Sequence, residues 1–115
     1  MVSIDQFREI ALSFPEVVEE PHFEKRSFRV KKKIFATYDD KNKRATIKLS
    51  TIDQDVYSKI DKHIIYPVDN KWGKQGWTII ETQMVNRDLF FDALKASYCE
   101  VAPLKLAALL NGKIT

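Results

Sequence analysis

The chain has 115 residues, 44% apolar and 30% charged, with a net charge of +3. That is enough chain for one domain with a core of its own, and the balance excludes a disordered polymer. No apolar run approaches the ~20 residues of a membrane span, the N-terminus lacks the basic start and apolar stretch of a signal peptide, and the lone Cys99 leaves no internal disulfide, so a single cytoplasmic domain over residues 1–115 is expected.

Ser3-Ile4-Asp5-Gln6 has the form of a capping box, with Val2 placed to staple onto Phe7. Phe7, Ile10, Ala11 and Phe14 recur at helical spacing, which predicts an amphipathic helix over 4–14, stopped by Pro15. The acidic stretch "EVVEEPHFE" reads as a connection. Three strands are predicted next. "RSFRV" places Phe28 and Val30 on one face and Arg29 on the other. "KIFATYD" follows a lysine turn, and "RATIKLS" alternates Ile47 and Leu49 with Thr46 and Lys48. "DDKNK" supplies the turn between the last two. Ser50 or Thr51 caps a second helix whose apolar face is Ile52, Val56 and Ile60.

"HIIYPV" reads as a short strand that Pro67 pushes to a sheet edge or strand end. "WTIIET" is a clearer strand, with Trp77 and Ile79 on its core side. Before it, "DNKWGKQG" holds Trp72, which either caps the end of the core or waits exposed for a partner. Gly73 serves a bend there, and Gly76 permits the tight approach into the strand. Asn86 caps the last long helix, with Phe90, Leu94, Ser97 and Val101 as its core face. Pro103 opens a terminal helix anchored by Leu106, Leu109 and Leu110, and Gly112 ends it. The expected class is therefore α+β, in the order α-βββ-α-ββ-α-α. It has an antiparallel sheet of about five strands with helices packed mainly on one face.

The charge is unevenly laid out. Residues 1–24 hold six acids and one base, residues 25–48 hold ten bases and two acids, and the rest is balanced. The basic block reads either as a solvated strand face with lysine-rich turns or as a phosphate-contacting surface. On the second reading Arg29, Lys31, Lys32, Lys33 and Lys48 supply charge from the sheet and its turn. Lys71, Trp72 and Lys74 add charge and a stacking ring, and Phe35 joins them if its strand register turns it outward.

Reactive chemistry finds little support. The two histidines, His22 and His63, lack metal-ligand spacing, and Glu16, Glu19, Glu20 and Glu24 lack that of a calcium loop. Cys99 falls on the side of its helix with Asp88, Asp92 and Lys95, either exposed or covered by the terminal helix, and acids disfavour a thiolate. "WGKQGWT" misses the phosphate-loop frame and precedes a strand instead of a helix. No catalytic residue, metal or cofactor is expected.

"FPEVVEEPHF", "RSFRVKKKIFATY", "TIKLS", "YPVDNKWGKQGWTII" and "LFFDALKASYCEVAP" together resemble, in order, the pattern of the MmcQ/YjbR family, formerly a domain of unknown function. The most telling parts are Lys33 to Ala36, Gly76 to Thr78, and Ala96-Ser97-Tyr98. The resemblance implies a small α+β domain with an antiparallel sheet. It carries the label of DNA-binding protein that members often bear, and no catalytic motif. Relatives commonly place glycine where this chain has Lys31-Lys32. A type I′ turn needs φ > 0 there, which lysine disfavours, so a turn of another type or greater length is expected. Two function classes remain. One is a non-enzymatic module for DNA or another polyanion. The other is a protein-interaction or small-ligand domain, drawn from the apolar surplus around Trp72, Phe91 and the terminal helix. A monomer or weak homodimer with no membrane association is expected of both.

Overall fold

The structure is a computed structural model and describes residues 1–110; the helix stop expected at Gly112 lies outside the described residues. Eleven elements follow one another: α1 (Ile4–Ser13), β1 (Val17–His22), β2 (Lys25–Val30), β3 (Lys33–Asp39), β4 (Arg44–Lys48), α2 (Thr51–Ser58), β5 (Ile65–Pro67), α3 (Lys71–Lys74), β6 (Trp77–Glu81), α4 (Arg87–Val101) and α5 (Leu104–Leu110). The strands form one antiparallel sheet in the order β1-β2-β3-β4-β6-β5. The expected α+β architecture holds, with two additions.

The first is β1. The acidic segment read as a connection is a strand, each residue from Val17 to His22 paired with one of β2. Its acids and Pro21 argue against a strand locally, and the pairing is decided by its partner. Glu19 lies opposite Phe28 and reaches Arg8 at 2.8 Å and Arg26 at 3.0 Å, while Glu20 lies 3.9 Å from Arg29. The second addition is α3, a single turn capped by Asn70, whose side chain accepts from the Trp72 amide.

Local signals explain most other boundaries. The Ser3–Gln6 capping box is formed, and Val2 and Phe7 are both buried beneath it. Ser50 caps α2 and Asn86 caps α4. Between β2 and β3 the register slips, so that Phe28 faces Ala36 while Arg29 faces Ile34. Phe35 is the extra residue of this bulge, and both Phe35 and Ala36 turn into the core. The outward placement considered for Phe35 is thereby excluded. The β2–β3 turn is neither longer nor of another type. Only Lys31 and Lys32 lie between the strands, at φ of 51° and 69°, the left-handed pair that a type I′ hairpin requires.

The core lies between the sheet and α1, α4 and α5. Phe7 stacks on Phe28 at 5.0 Å and meets Tyr38 and Phe90 edge-on, and Phe35 meets Tyr98 edge-on at 5.5 Å. Ser97 is buried among them. It donates to the Phe35 carbonyl at 2.7 Å and accepts from the Lys48 amide at 3.1 Å, completing through a side chain the β3–β4 ladder beyond the Ala36–Ile47 pair. The α2 face differs from expectation. Ile52, Val56 and Ile60 are 76%, 55% and 57% exposed, and the buried residue of α2 is Gln54. Its amide Nε2 reaches the Gly73 and Trp77 carbonyls and the Thr78 hydroxyl at 2.9–3.1 Å. The Gly73 and Trp77 carbonyls also accept from the Gly76 and Val68 amides, so Gln54 adds a second donor to each and ties α2 to α3 and β6.

Candidate binding face of the sheet

Because the helices cover one face, the opposite face stays open, and strand parity decides what it shows. β2 turns Lys25, Ser27 and Arg29 toward it, opposite the buried Phe28 and Val30. β4 turns Arg44, Thr46 and Lys48 the same way, opposite Ala45 and Ile47. On β6 the buried residues are Thr78 and Ile80, so Trp77 and Ile79 lie on the open face. This corrects the placement of Trp77 in the core. The register of β6 on β4, Ile47 with Thr78 and Ala45 with Ile80, fixes the parity. Thr78 tolerates burial because its hydroxyl donates to the Gly76 carbonyl at 2.9 Å and accepts from Gln54.

A groove of about 580 Å³ crosses this face. Its floor is Ile34, Thr37, Thr46 and Ile79, with Thr37 opposite Thr46 and Thr46 opposite Ile79 across three adjacent strands. Trp72, Trp77 and Val68 form one end, and His22 and Lys25 the other. Both tryptophans of the chain therefore line one cavity. Trp72 is carried on α3, whose position two glycines enforce. A Cβ on Gly73 would fall 1.8 Å from the Val68 carbonyl oxygen, and one on Gly76 1.9 Å from that of Leu49. Gly76 also sits at φ 107°, where other residues are strained. Among the described residues, the hydroxyls of Thr37 and Thr46 and both indole N–H groups have no hydrogen-bond partner.

Two of the residues singled out by charge hold the groove's flank. Arg29 donates to Ser27 Oγ at 3.0 Å, and Lys48 sits across from Trp77 with its Nζ 3.3 Å from the Leu49 carbonyl. Lys31 and Lys32 form the β2–β3 turn and Lys33 begins β3, at the same end of the sheet as Lys48 and Trp77. Lys31 is engaged with Glu16 at 2.7 Å, while Lys32 and Lys33 have no ionic partner among the described residues. On α3, Lys71 stands 5.6 Å from the Trp72 ring centroid, and Lys74 is exposed. Trp72 itself is 49% exposed.

The other end of the open face is a charged row. Asp39 lies opposite Arg44 and Arg44 opposite Glu81, which Arg44 contacts at 3.0 Å and which also accepts from the Tyr66 hydroxyl. Partial burial and that bond to Glu81 raise the Tyr66 pKa, so the phenol stays protonated. Asp39 is held below its ordinary value, first by the Asn42 side-chain amide, against partial burial. Cys99 is half-buried against the core. Sequence reasoning missed the groove because it assigned one apolar face per strand. One signal was there: Thr46 is uncharged on a face expected to be polar, whereas Ile79 was expected on the core side and the register of the strand carrying Ile34 and Thr37 was left open.

The YjbR family model matches residues 12–100. No curated protein matches the chain. Among solved structures, the crystal structure of Deinococcus radiodurans protein DR2400, described with a DUF419 domain, matches with a TM-score of 0.74 and 22% identity. It covers 88% of this chain and 79% of that one, a likeness that shows the fold alone. With the family model spanning the strands, the groove and most of α4, the chain belongs to the YjbR family.

Proposed function

We propose that the chain is a non-enzymatic nucleic-acid-binding module that takes single-stranded DNA or RNA on the open face of its sheet. The observation that carries this is the juxtaposition of Trp72 and Trp77 with cationic side chains on a face that no helix covers. Indole faces stack on bases of any sequence, and lysines contact the phosphates. A duplex buries its base faces and has no use for the groove.

The fold also limits how the strand is held. Arg29 and Lys31 lie within 4.0 Å of Glu20 and Glu16 in the acidic segment and Lys48 within 4.0 Å of Glu100 on α4, so part of the basic block is already engaged. Lys25, Lys32, Lys33, Lys71 and Lys74 remain for phosphates. Five contacts on a single strand predict a slope of log K against log salt near −3.5. Fluorescence anisotropy of labelled single strands and duplexes at several salt concentrations measures this. Preference for single strands with a slope near that value supports the proposal; absence of binding at low salt refutes it.

A protein-interaction domain is the second reading, and a separate observation favours it. Ile52 and Val56 on α2, with Ile60 in the turn beyond its end, form an exposed aliphatic row. Sedimentation across a range of concentrations tests the homodimer form, and a monomer throughout would remove self-association.

A further inference from the structure

We infer that the groove between the tryptophans and Lys25 is a pocket for one nucleotide unit: a planar base against the indoles, its edge on Thr37 and Thr46, its phosphate at His22 and Lys25. The inference deepens the nucleic-acid reading and rests on the same face, but it names a bounded site within it.

Dimensions come first. Continuing the Arg26–Tyr38 pair, Lys25 on β2 lies level with Asp39, Arg44 and Glu81, and Trp77 stands three inter-strand steps away and four residues further along β6, so the two backbone positions are roughly 20 Å apart on the diagonal. Both side chains line the one cavity between these positions, which leaves room for a nucleoside monophosphate. The cavity, about 580 Å³, lies in the range of small-ligand sites.

Chemistry divides along the same axis. At the β6 end, Trp72, Trp77, Ile79 and Val68 offer apolar surface. In the middle, Thr37 and Thr46 are direct cross-strand neighbours, so their hydroxyls stand side by side with no partner among the described residues. Each hydroxyl both donates and accepts, which suits the mixed edge of a base. At the β2 end, Lys25 has no ion pair within 4.0 Å among the described residues, although it lies near enough to Asp39 to help hold that carboxyl below its ordinary value, and the His22 ring is set edge-on to Phe23 at 4.8 Å. A cation and an imidazole next to backbone that no helix covers suit a phosphate. Charge complementarity thus orients the ligand, with its anion away from the tryptophans.

The wall is also preset. Gln54 holds the carbonyls of Gly73 and Trp77 together, one from α3 and one from β6, so the two indoles keep a fixed spacing without a ligand. The two N–H groups of Nε2 are shared among three acceptors, two of them carbonyls, which fixes the orientation of the amide.

The test uses intrinsic fluorescence, since both tryptophans line the cavity. Adenosine 5′-monophosphate, a single-stranded oligonucleotide and inorganic phosphate are titrated separately into the wild-type chain and into Thr37→Val/Thr46→Val. Valine keeps the strand propensity, and an unchanged thermal midpoint verifies the fold of the variant. The mononucleotide is expected to change tryptophan emission saturably, the double variant to weaken it roughly 10-fold or more through two lost hydrogen bonds, and phosphate alone to leave emission unchanged. If oligonucleotide and mononucleotide compete, the occupant is a base of a strand. If only the mononucleotide binds, the pocket stands for a free nucleotide and the nucleic-acid reading fails. Salt-dependent oligonucleotide binding with no mononucleotide effect and no loss in the double variant overturns the pocket and leaves that reading intact. No binding of either probe overturns both.

Discussion

Ser97→Ala removes a hydroxyl that two backbone groups depend on. Ser97 Oγ donates to the Phe35 carbonyl at 2.7 Å and accepts from the Lys48 amide at 3.1 Å, and Ser97 and Phe35 are fully buried. Alanine keeps the helix and leaves a void of one oxygen atom, too small for the water that would replace it. Each orphaned buried group costs about 1–3 kcal/mol, and the half-buried Lys48 amide falls at the low end, so a loss of about 2–4 kcal/mol is expected. For a domain of this size that lowers the thermal midpoint by roughly 10–20 °C. Urea unfolding followed by circular dichroism measures it, with an unchanged m-value confirming that the native fold persists. Ser13→Ala is the control. Its hydroxyl also bonds a carbonyl, that of Ile10 at 2.6 Å, but at an exposed helix end where water substitutes, so its loss is expected below about 1 kcal/mol. If Ser97→Ala costs no more than Ser13→Ala, the Lys48 amide closes directly on Phe35 and the serine is not part of the sheet.

Lys31→Asn with Lys32→Gly relieves two left-handed lysines in a two-residue hairpin, and about 1–2 kcal/mol of stabilisation is expected in the same urea experiment, despite loss of the exposed Glu16 pair. Gly76→Ala meets both φ 107° and the Leu49 carbonyl at 1.9 Å, and about 3 kcal/mol or more of destabilisation is expected, with red-shifted tryptophan emission reporting the displaced strand start. Glu19 titrates below its ordinary 4.5: burial opposes this, but hydrogen bonds from Arg8 and Arg26 outweigh it. A depressed folded pKa gives stability that is full above the unfolded value and lost as pH falls through the folded one, so Glu19→Gln is expected to flatten acid unfolding below pH ~4.5 and weaken the fold at neutral pH. A pH titration of the unfolding midpoint for both chains shows whether the two curves converge in acid.

What the sequence made legible was whatever local chemistry decides. The capping box at Ser3, the cap at Asn86, the parity of Phe28 and Val30, and the glycine approach at Gly76 all follow from neighbours along the chain. What it hid depends on distant partners. β1 is a strand because acids meet the bases of β2, not because its residues favour extension. Gln54, not the aliphatic row, is the buried residue of α2, and its partners are carbonyls nineteen and twenty-three residues away. The side of Phe35, left open in the sequence, was set by a bulge in the β2–β3 register, and Trp77 changed sides because pairing with β4 fixed its parity. Of the candidate site, the charges and Trp72 were visible, but the groove was not, since it exists only when three strands set their uncharged residues side by side.

The open face supplies its own comparison between solvated and binding surface. At one end, Arg44, Glu81 and Tyr66 satisfy one another across three strands and Asp39 beside them is bonded by its own turn, as expected of a sheet that simply meets water. One residue pair further along the same strands, Thr37, Thr46 and Ile79 present hydroxyls without partners and an aliphatic side chain without cover, between two half-exposed indoles. Strand length and twist are common to both ends, so neither explains the difference. Solubility would be better served by continuing the charged row. Two glycines that admit no side chain, and a buried amide bonded to three acceptors, further constrain the loop that walls this half. The constraints therefore converge on the half of the face that leaves its polar groups unpaired, and that convergence is why the nucleotide pocket is placed there and not on the lysine turn, where the excess of charge is greatest along the chain.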